Sequence, residues 1–190
     1  MTTLAETAND KEQLEHWLTC LHEAAHAVIG VKYRIRVEYV EVRQKGTVGL
    51  ILEENAAGCV LSPTPMWFDS LNPKKSPIPL TRYQKQYIQN RIGMVLAGLV
   101  AEFSTDIFKD EYDTLVSDYT EGKQLAKLLT GTEDEQEVIE IINRAFERVS
   151  RDFTNPHVSD AVESVRDVLL TEYKMTKRHL RRICRKCGIP

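Results

Sequence analysis

The sequence has no long hydrophobic run, and its longest uninterrupted apolar stretch is MVLAGLVA, from Met94 to Ala101. Because a helix needs about 20 apolar residues to cross a bilayer, we expect no membrane span. The N-terminal segment MTTLAETANDKEQ is polar and partly acidic, and it lacks the apolar core of a signal peptide. A cytoplasmic protein is therefore expected.

Cysteine is sparse, since four residues in a chain of 190 are too few and too scattered for a disulfide scaffold. Cys184 and Cys187 have the CxxC spacing of half a zinc site, but no second pair follows, which favours ordinary thiols. A large excess of one charge is lacking too. The net charge of −3 gives the chain no overall attraction to nucleic acid or to an anionic membrane.

One local excess of positive charge remains, in the segment KRHLRRICRKC at 177–187. A nucleic-acid interface is one interpretation of such a segment. A solvated helix end is favoured instead, because cations stabilise a helix C-terminus and the rest of the chain is acidic. We therefore predict no nucleic-acid partner.

The first half of the chain predicts a helix, a sheet and a loop. Apolar residues recur at helical spacing in the first segment, with Asn9 and Glu12 as a capping box and Gly30 as the end. Between Val37 and Leu61, short runs rich in β-branched residues predict a small antiparallel sheet. The segment 63–79 contains five prolines and predicts a long irregular loop.

The second half of the chain predicts helices. Thr81 and Gln84 have capping-box spacing at the start of one helix, and Asn155-Pro156 is a favourable start for another. The predicted fold class is α+β and helix-dominant, with one helix and a small antiparallel sheet followed by a helical bundle. The later predicted helices span about 117–129, 133–153 and 156–173, followed by a short basic segment at 176–186.

The most informative short motif is HEAAH, from His22 to His26. Two histidines four residues apart project from one face of a helix and can reach one tetrahedral zinc ion. Glu23 is turned about 100° from His22, so it is placed to accept a proton from a water in the fourth coordination position rather than to bind zinc. Zinc lowers the pKa of such a water to about 7, so an ordinary carboxylate suffices as general base. The alternative is a histidine pair on a partly buried helix beside a solvated glutamate.

A catalytic zinc site needs a third protein ligand, and the other histidines are poorly placed to supply it. His16 lies on a different face of the same helix, and His157 and His179 have no motif around them. The metzincin continuation HExxHxxGxxH also fails, because no histidine follows at the required position. The third ligand is therefore sought among the acidic residues downstream.

Two acidic residues are candidates for this role. Glu102 lies in LAGLVAEFSTD, and Asp118 lies in VSDYTEGKQLAKLL. From the residues alone, a helix N-cap is the favoured role for Asp118, because Glu121 follows it at capping-box spacing. Neither segment identifies the ligand by itself.

Three segments, HEAAHAVIG, VLAGLVAEF and SDYTEGKQLAKLL, together resemble the peptidase domain of the FtsH-type AAA+ zinc proteases. That domain carries HEAGHA, an LAGRAAEE-like helix and an NDIERAT-like helix start in this order and at similar separations. The resemblance covers most of the chain, from about Leu14 to the last helices. It implies zinc ligation by His22 and His26, with Asp118 as the third ligand because it matches the family's aspartate. Glu102 is then expected to orient a histidine ligand through its ring N–H, and a surface or helix-packing role is the alternative.

In that family a strand beside the active-site helix holds an extended peptide by backbone pairing. GTVGLIL at 46–52 is the candidate strand, and an internal strand without a substrate role is an equal alternative. The chain lacks the phosphate-binding pattern GxxxxGK[ST], so ATP-driven unfolding is not expected to be intrinsic. It also has Ala25 where the family has glycine, and Leu99 and Phe103 where the family has arginine and glutamate. The last two changes affect the expectation of family-type subunit contacts more than the metal site.

We therefore predict a single domain over 1–190, with an N-terminal segment 1–13, a metal-site core 14–130 and C-terminal helices 131–190. The predicted function is an ATP-independent zinc metallopeptidase that hydrolyses peptides or unfolded proteins with a zinc-activated water and Glu23 as general base. A non-catalytic interaction or regulatory protein that retains the fold is the alternative. A separate ATPase partner and a homo-oligomer are both left open.

Overall fold

The computed structural model describes residues 4–43, 57–69, 71, 79–105 and 113–190. Over these residues the chain forms seven helices and one three-stranded sheet. The helices are α1 (Leu4–Lys32), α2 (Met66–Asp69), α3 (Arg82–Phe103), α4 (Asp113–Thr130), α5 (Glu135–Phe153), α6 (Pro156–Glu172) and α7 (Lys177–Lys186). The strands are β1 (Tyr39–Val42), β2 (Gly58–Leu61) and β3 (Lys174–Thr176).

Helix α1 is the centre of the molecule. Every residue from 18 to 30 is buried, which is the expected consequence of a helix that is apolar around most of its circumference. Helix α1 shares one hydrophobic core with the sheet, α6 and part of α3, while the other side of α3 forms a second core with α4 and α5. Helices α1 and α3 thus belong to the same core, and α3 connects α1 to α4.

The sheet has the strand order β2-β1-β3, and both pairs are antiparallel. Val40 in the central strand lies opposite Val60 on one side and Met175 on the other. Strand β3 was not predicted from the sequence. It follows Tyr173, which ends α6 in the left-handed conformation with φ of 59° and so redirects the chain toward β1.

The predicted fold class is confirmed: the structure is α+β and helix-dominant, with a small antiparallel sheet. Two predicted helix starts are confirmed as well. Thr81 and Gln84 form a reciprocal capping box at α3, and Asn155 caps α6 with proline next in the chain. The division into three segments of one domain stays a prediction.

Other local predictions were wrong. Helix α1 is already formed at Leu4, so Asn9 and Glu12 lie within it and do not begin it. The proline-rich segment 63–79 was predicted to be irregular, but residues 66–69 form the short helix α2, while residue 70 and residues 72–78 lie outside the described residues. The segment 46–52, the candidate substrate-binding strand, lies outside the described residues.

No helix in the described part of the chain combines the length and apolar character needed to cross a membrane.

Candidate metal centre

The two histidines of HEAAH and Asp118 converge at one buried point. The Nε2 atoms of His22 and His26 are 2.8 Å apart, and each is 3.0 Å from Oδ2 of Asp118. The histidines come from α1 and the aspartate from α4, nearly one hundred residues later. Among the described residues, this is the only group of three or more histidine, cysteine or acidic side chains arranged to hold a metal ion.

Hydrogen bonds to the other ring nitrogens determine the tautomer of each histidine. Nδ1 of His26 is 2.7 Å from the carbonyl oxygen of Met94, which only accepts, so Nδ1 carries the proton. Nδ1 of His22 lies 2.8 Å from Oε1 of Glu102, and a carboxylate likewise accepts. In the neutral rings, both Nε2 atoms therefore carry lone pairs that face Asp118.

This arrangement fits a metal ion on the chemistry of its donors. With these tautomers, Oδ2 of Asp118 is a buried atom without a hydrogen-bond partner. Three electron-pair donors that face one another in a buried site need a positive charge between them, either a proton or a cation. Two imidazoles and a carboxylate bind several first-row divalent ions, with zinc among them. The group can therefore hold a metal ion.

The acid–base properties of the metal-free site show what a cation would replace. Burial lowers the pKa of His22, but the hydrogen bonds that the protonated ring donates to Asp118 and Glu102 outweigh it and raise the pKa to about 10. Burial likewise lowers the pKa of His26, and the charge of Asp118 raises it above its usual value. Burial would raise the pKa of Asp118, yet the two histidines hold it well below its usual range. At neutral pH a proton thus occupies the position that suits a cation.

Glu23 is buried next to this group. Burial and Asp118 have the larger effects on the pKa of His22 and of His26, and the negative charge of Glu23 adds a smaller upward contribution to both. Only 7% of the residue is exposed, and its side chain packs against Gly58, the first residue of β2. The structure therefore places Glu23 beside the histidine pair in α1 and against the start of β2.

Asp118 is not a helix N-cap. Helix α4 begins at Asp113, so Asp118 is its sixth residue, and the proposed capping box with Glu121 was wrong. The helix starts earlier than predicted, so backbone N–H groups in the next turn already bond to helix carbonyls. Glu121 lies near a cation instead, with Oε1 3.4 Å from Arg91. The side chain of Asp118 is free to face the histidines.

Glu102 lies in the last turn of α3 and is 7% exposed, which excludes the predicted alternative of a surface role. It contacts His22 at Nδ1, the ring nitrogen opposite the one that faces Asp118. This is the position expected of a residue that orients a ligand rather than binds the metal. The carbonyl of Met94 orients His26 in the same way, and sequence reasoning missed it because any residue supplies a backbone carbonyl.

The remaining histidines and cysteines of the described residues are not members of this group. His16 stacks on Tyr173, with ring centroids 5.3 Å apart, and His157 packs beside Gly188. All four cysteines are free thiols, as predicted, and burial raises the pKa of Cys184 to about 12. The CxxC pair is not part of any metal-binding group among the described residues.

No protein-family model matches this chain, and no curated protein matches it in sequence. A functional proposal therefore has two supports. One is the ordered set of three sequence segments, and the other is the convergence of His22, His26 and Asp118 next to Glu23.

Proposed function

We propose that this chain is a zinc-dependent peptidase related to the peptidase domain of the FtsH-type proteases. His22, His26 and Asp118 hold the zinc ion, and Glu23 is the general base. The observation that carries the proposal is that two Nε2 atoms and a carboxylate oxygen meet within 3.0 Å beside a buried glutamate. Two histidines and one carboxylate form a known ligand set for catalytic zinc, which leaves a coordination position for water or substrate.

A divalent ion bound at this centre supplies Lewis-acid polarisation of a carbonyl and lowers the pKa of adjacent water. The protein's contribution is orientation. Glu102 accepts a hydrogen bond from Nδ1–H of His22, and the Met94 carbonyl accepts one from Nδ1–H of His26. Both imidazoles are therefore held with Nε2 toward the metal position before any ion arrives. Little reorganisation is then needed on binding.

Glu23 acts as the general base and then as the general acid. Its carboxylate accepts a proton from the attacking water and passes it to the amine that leaves when the peptide bond breaks. The low exposure of Glu23, His22 and His26 keeps bulk water from screening these charges. Because the 190 residues contain no phosphate-binding loop, the proposed substrates are peptides or unfolded segments.

The test begins with metal content. Protein purified without added metal is expected to contain about one zinc per chain by elemental analysis. Cleavage of casein or of a fluorogenic peptide is then expected to stop on chelation and to return with zinc. Glu23→Gln should abolish cleavage while the zinc content stays unchanged, because the amide cannot act as base.

Two results would overturn the proposal. Undiminished cleavage by Glu23→Gln would exclude the mechanism, and wild-type protein that holds zinc but cleaves none of the substrates would favour the non-catalytic alternative. His26→Gln provides the matched control within the same motif, since it is expected to lose zinc and activity together.

A further inference from the structure

Two glycines from different elements contact adjacent residues of the HEAAH motif. Gly98 in α3 lies against the ring of His22, and Gly58 at the start of β2 lies against the side chain of Glu23. Each contact is possible only because the glycine has no side chain. His22 is a proposed metal ligand and Glu23 is the proposed general base, so the two contacts affect residues with different roles.

The contact at Gly98 leaves no space for a larger residue. A Cβ atom there would lie 2.4 to 2.5 Å from Cε1, Nδ1 and Nε2 of His22, closer than real Cβ atoms approach other heavy atoms. The His22 ring has little freedom to move away, because its Nδ1 is held by Glu102, which lies one turn after Gly98 in α3. Nε2 in turn faces Asp118. A methyl group at position 98 would therefore displace the ring from both partners.

The contact at Gly58 is similar. A Cβ atom there would lie 2.6 Å from Cγ, 2.7 Å from Oε1 and 2.9 Å from Cδ of Glu23. Rotation of the carboxylate about the Cγ–Cδ bond leaves Cγ in place, so that rotation alone does not relieve this contact. The whole side chain of Glu23 would have to change its rotamer, and its carboxylate would leave its place beside the histidines.

We propose that Gly98 and Gly58 are positioning residues with separable effects, Gly98 for the metal ligand His22 and Gly58 for the general base Glu23. The steric part of this inference stands on the contacts alone, and its consequences for zinc and turnover rest on the proposed function. Substitution at Gly98 weakens metal binding. Substitution at Gly58 slows the chemical step and leaves metal binding intact.

The first experiment compares Gly98→Ala with Gly93→Ala. Gly93 is in the same helix, and a Cβ there would lie 2.6 and 2.7 Å from the side chains of Tyr33 and Arg148, so the two variants add comparable crowding. We expect Gly98→Ala to lower zinc affinity about tenfold or more, as loss of a ligand's orientation does. It should also change the visible spectrum of bound Co²⁺. Gly93→Ala should leave both unchanged, and equal zinc affinity in wild type and Gly98→Ala would overturn the inference.

A second experiment needs no metal and covers the case in which Gly98→Ala does not fold by itself. In a His22→Ala background the ring is absent, so adding Gly98→Ala should cause little further fall in the thermal midpoint, or should restore folding. An equal fall in both backgrounds would show that the ring is not what Gly98 accommodates. Because this cycle is independent of zinc, it remains decisive for the steric contact if the proposed function fails.

The third experiment separates the base from the metal. Gly58→Ala is expected to lower kcat for a fluorogenic peptide about tenfold or more, with KM and zinc content unchanged. A variant that loses zinc, or one that retains full turnover, would overturn the role assigned to Gly58. If wild type itself holds zinc but shows no turnover, the proposed function fails instead, and the zinc comparison at Gly98 still applies.

Discussion

Nδ1 of His26 donates a hydrogen bond to the backbone carbonyl oxygen of Met94, 2.7 Å away. A backbone atom of α3 thus sets the tautomer of a side chain on α1, and no side-chain substitution at position 94 removes that acceptor. His22 differs, because its Nδ1 is held by the side chain of Glu102. The two histidines are therefore expected to respond differently to mutation of the residues that orient them.

Glu102→Ala is expected to lower zinc affinity about 10- to 100-fold, because His22 loses the acceptor that fixes its ring. Glu102→Gln should lose less, since its amide oxygen still accepts from Nδ1. Competition with a chromogenic chelator measures both affinities. Glu121→Gln is the control, because that side chain is exposed and directed at Arg91. Unchanged affinity in Glu102→Ala would contradict the orienting role.

Asp118→Asn should reduce zinc content well below one ion per chain. The amide is similar in shape to the carboxylate, so the packing of α4 is maintained while the anionic ligand is lost. Elemental analysis after dialysis gives the measurement. Asp134→Asn changes the N-cap of α5, outside the centre, and should leave the zinc content at its wild-type value. Full zinc content in Asp118→Asn would indicate a different third ligand.

Metal removal should lower thermal stability. A ligand at 100 times its dissociation constant stabilises the native state by about 2.7 kcal/mol, which corresponds to roughly 5–10 °C for a chain of this size. Thermal unfolding with zinc or with chelator measures the difference. His26→Ala lacks one of the proposed zinc ligands, so the same pair of scans on this variant should show no zinc-dependent shift. A shift that persists in His26→Ala would place the zinc at another site.

Zinc affinity should rise with pH. In the metal-free site the pKa of His22 is raised to about 10, so at pH 6 to 8 this histidine is protonated and must lose a proton before its Nε2 can bind metal. For each proton that metal binding releases, the apparent affinity for zinc rises about tenfold per pH unit as long as the pH is below that pKa. Competition titrations at pH 6, 7 and 8 test the slope. A flat profile would show that binding displaces no proton.

The C-terminal strand should contribute to stability through Met175. This residue is 2% exposed and lies opposite Val40 of the central strand. Met175→Ala is expected to cost about 2–5 kcal/mol, because it leaves a cavity in the core that α1 shares with the sheet and α6. Its exposed neighbour Lys174 provides the control, and Lys174→Ala should change stability by no more than about 0.5 kcal/mol. Denaturant unfolding of both variants gives the comparison, and equal losses would argue against burial of β3.

Local signals in the sequence were sufficient for most helices. The capping box of Thr81 and Gln84 predicted the start of α3, and Asn155-Pro156 predicted the start of α6, because caps depend on atoms within one helical turn. The spacing in HEAAH placed His22 and His26 on one face for the same reason. The fold class followed from the order of these local patterns.

Tertiary structure decided the rest. Strand β3 has only three residues, and it is a strand because β1, more than 130 residues earlier, provides its hydrogen-bond partners. Asp118 lies only three residues before Glu121, a spacing that suggested a local helix cap. Its side chain instead faces His22 and His26, because α3 packs between α4 and α1. The sequence by itself determined which side chains have metal-binding chemistry. Packing over long separations, which leaves no periodic pattern in a short segment, decided which of them meet and which backbone atoms orient them.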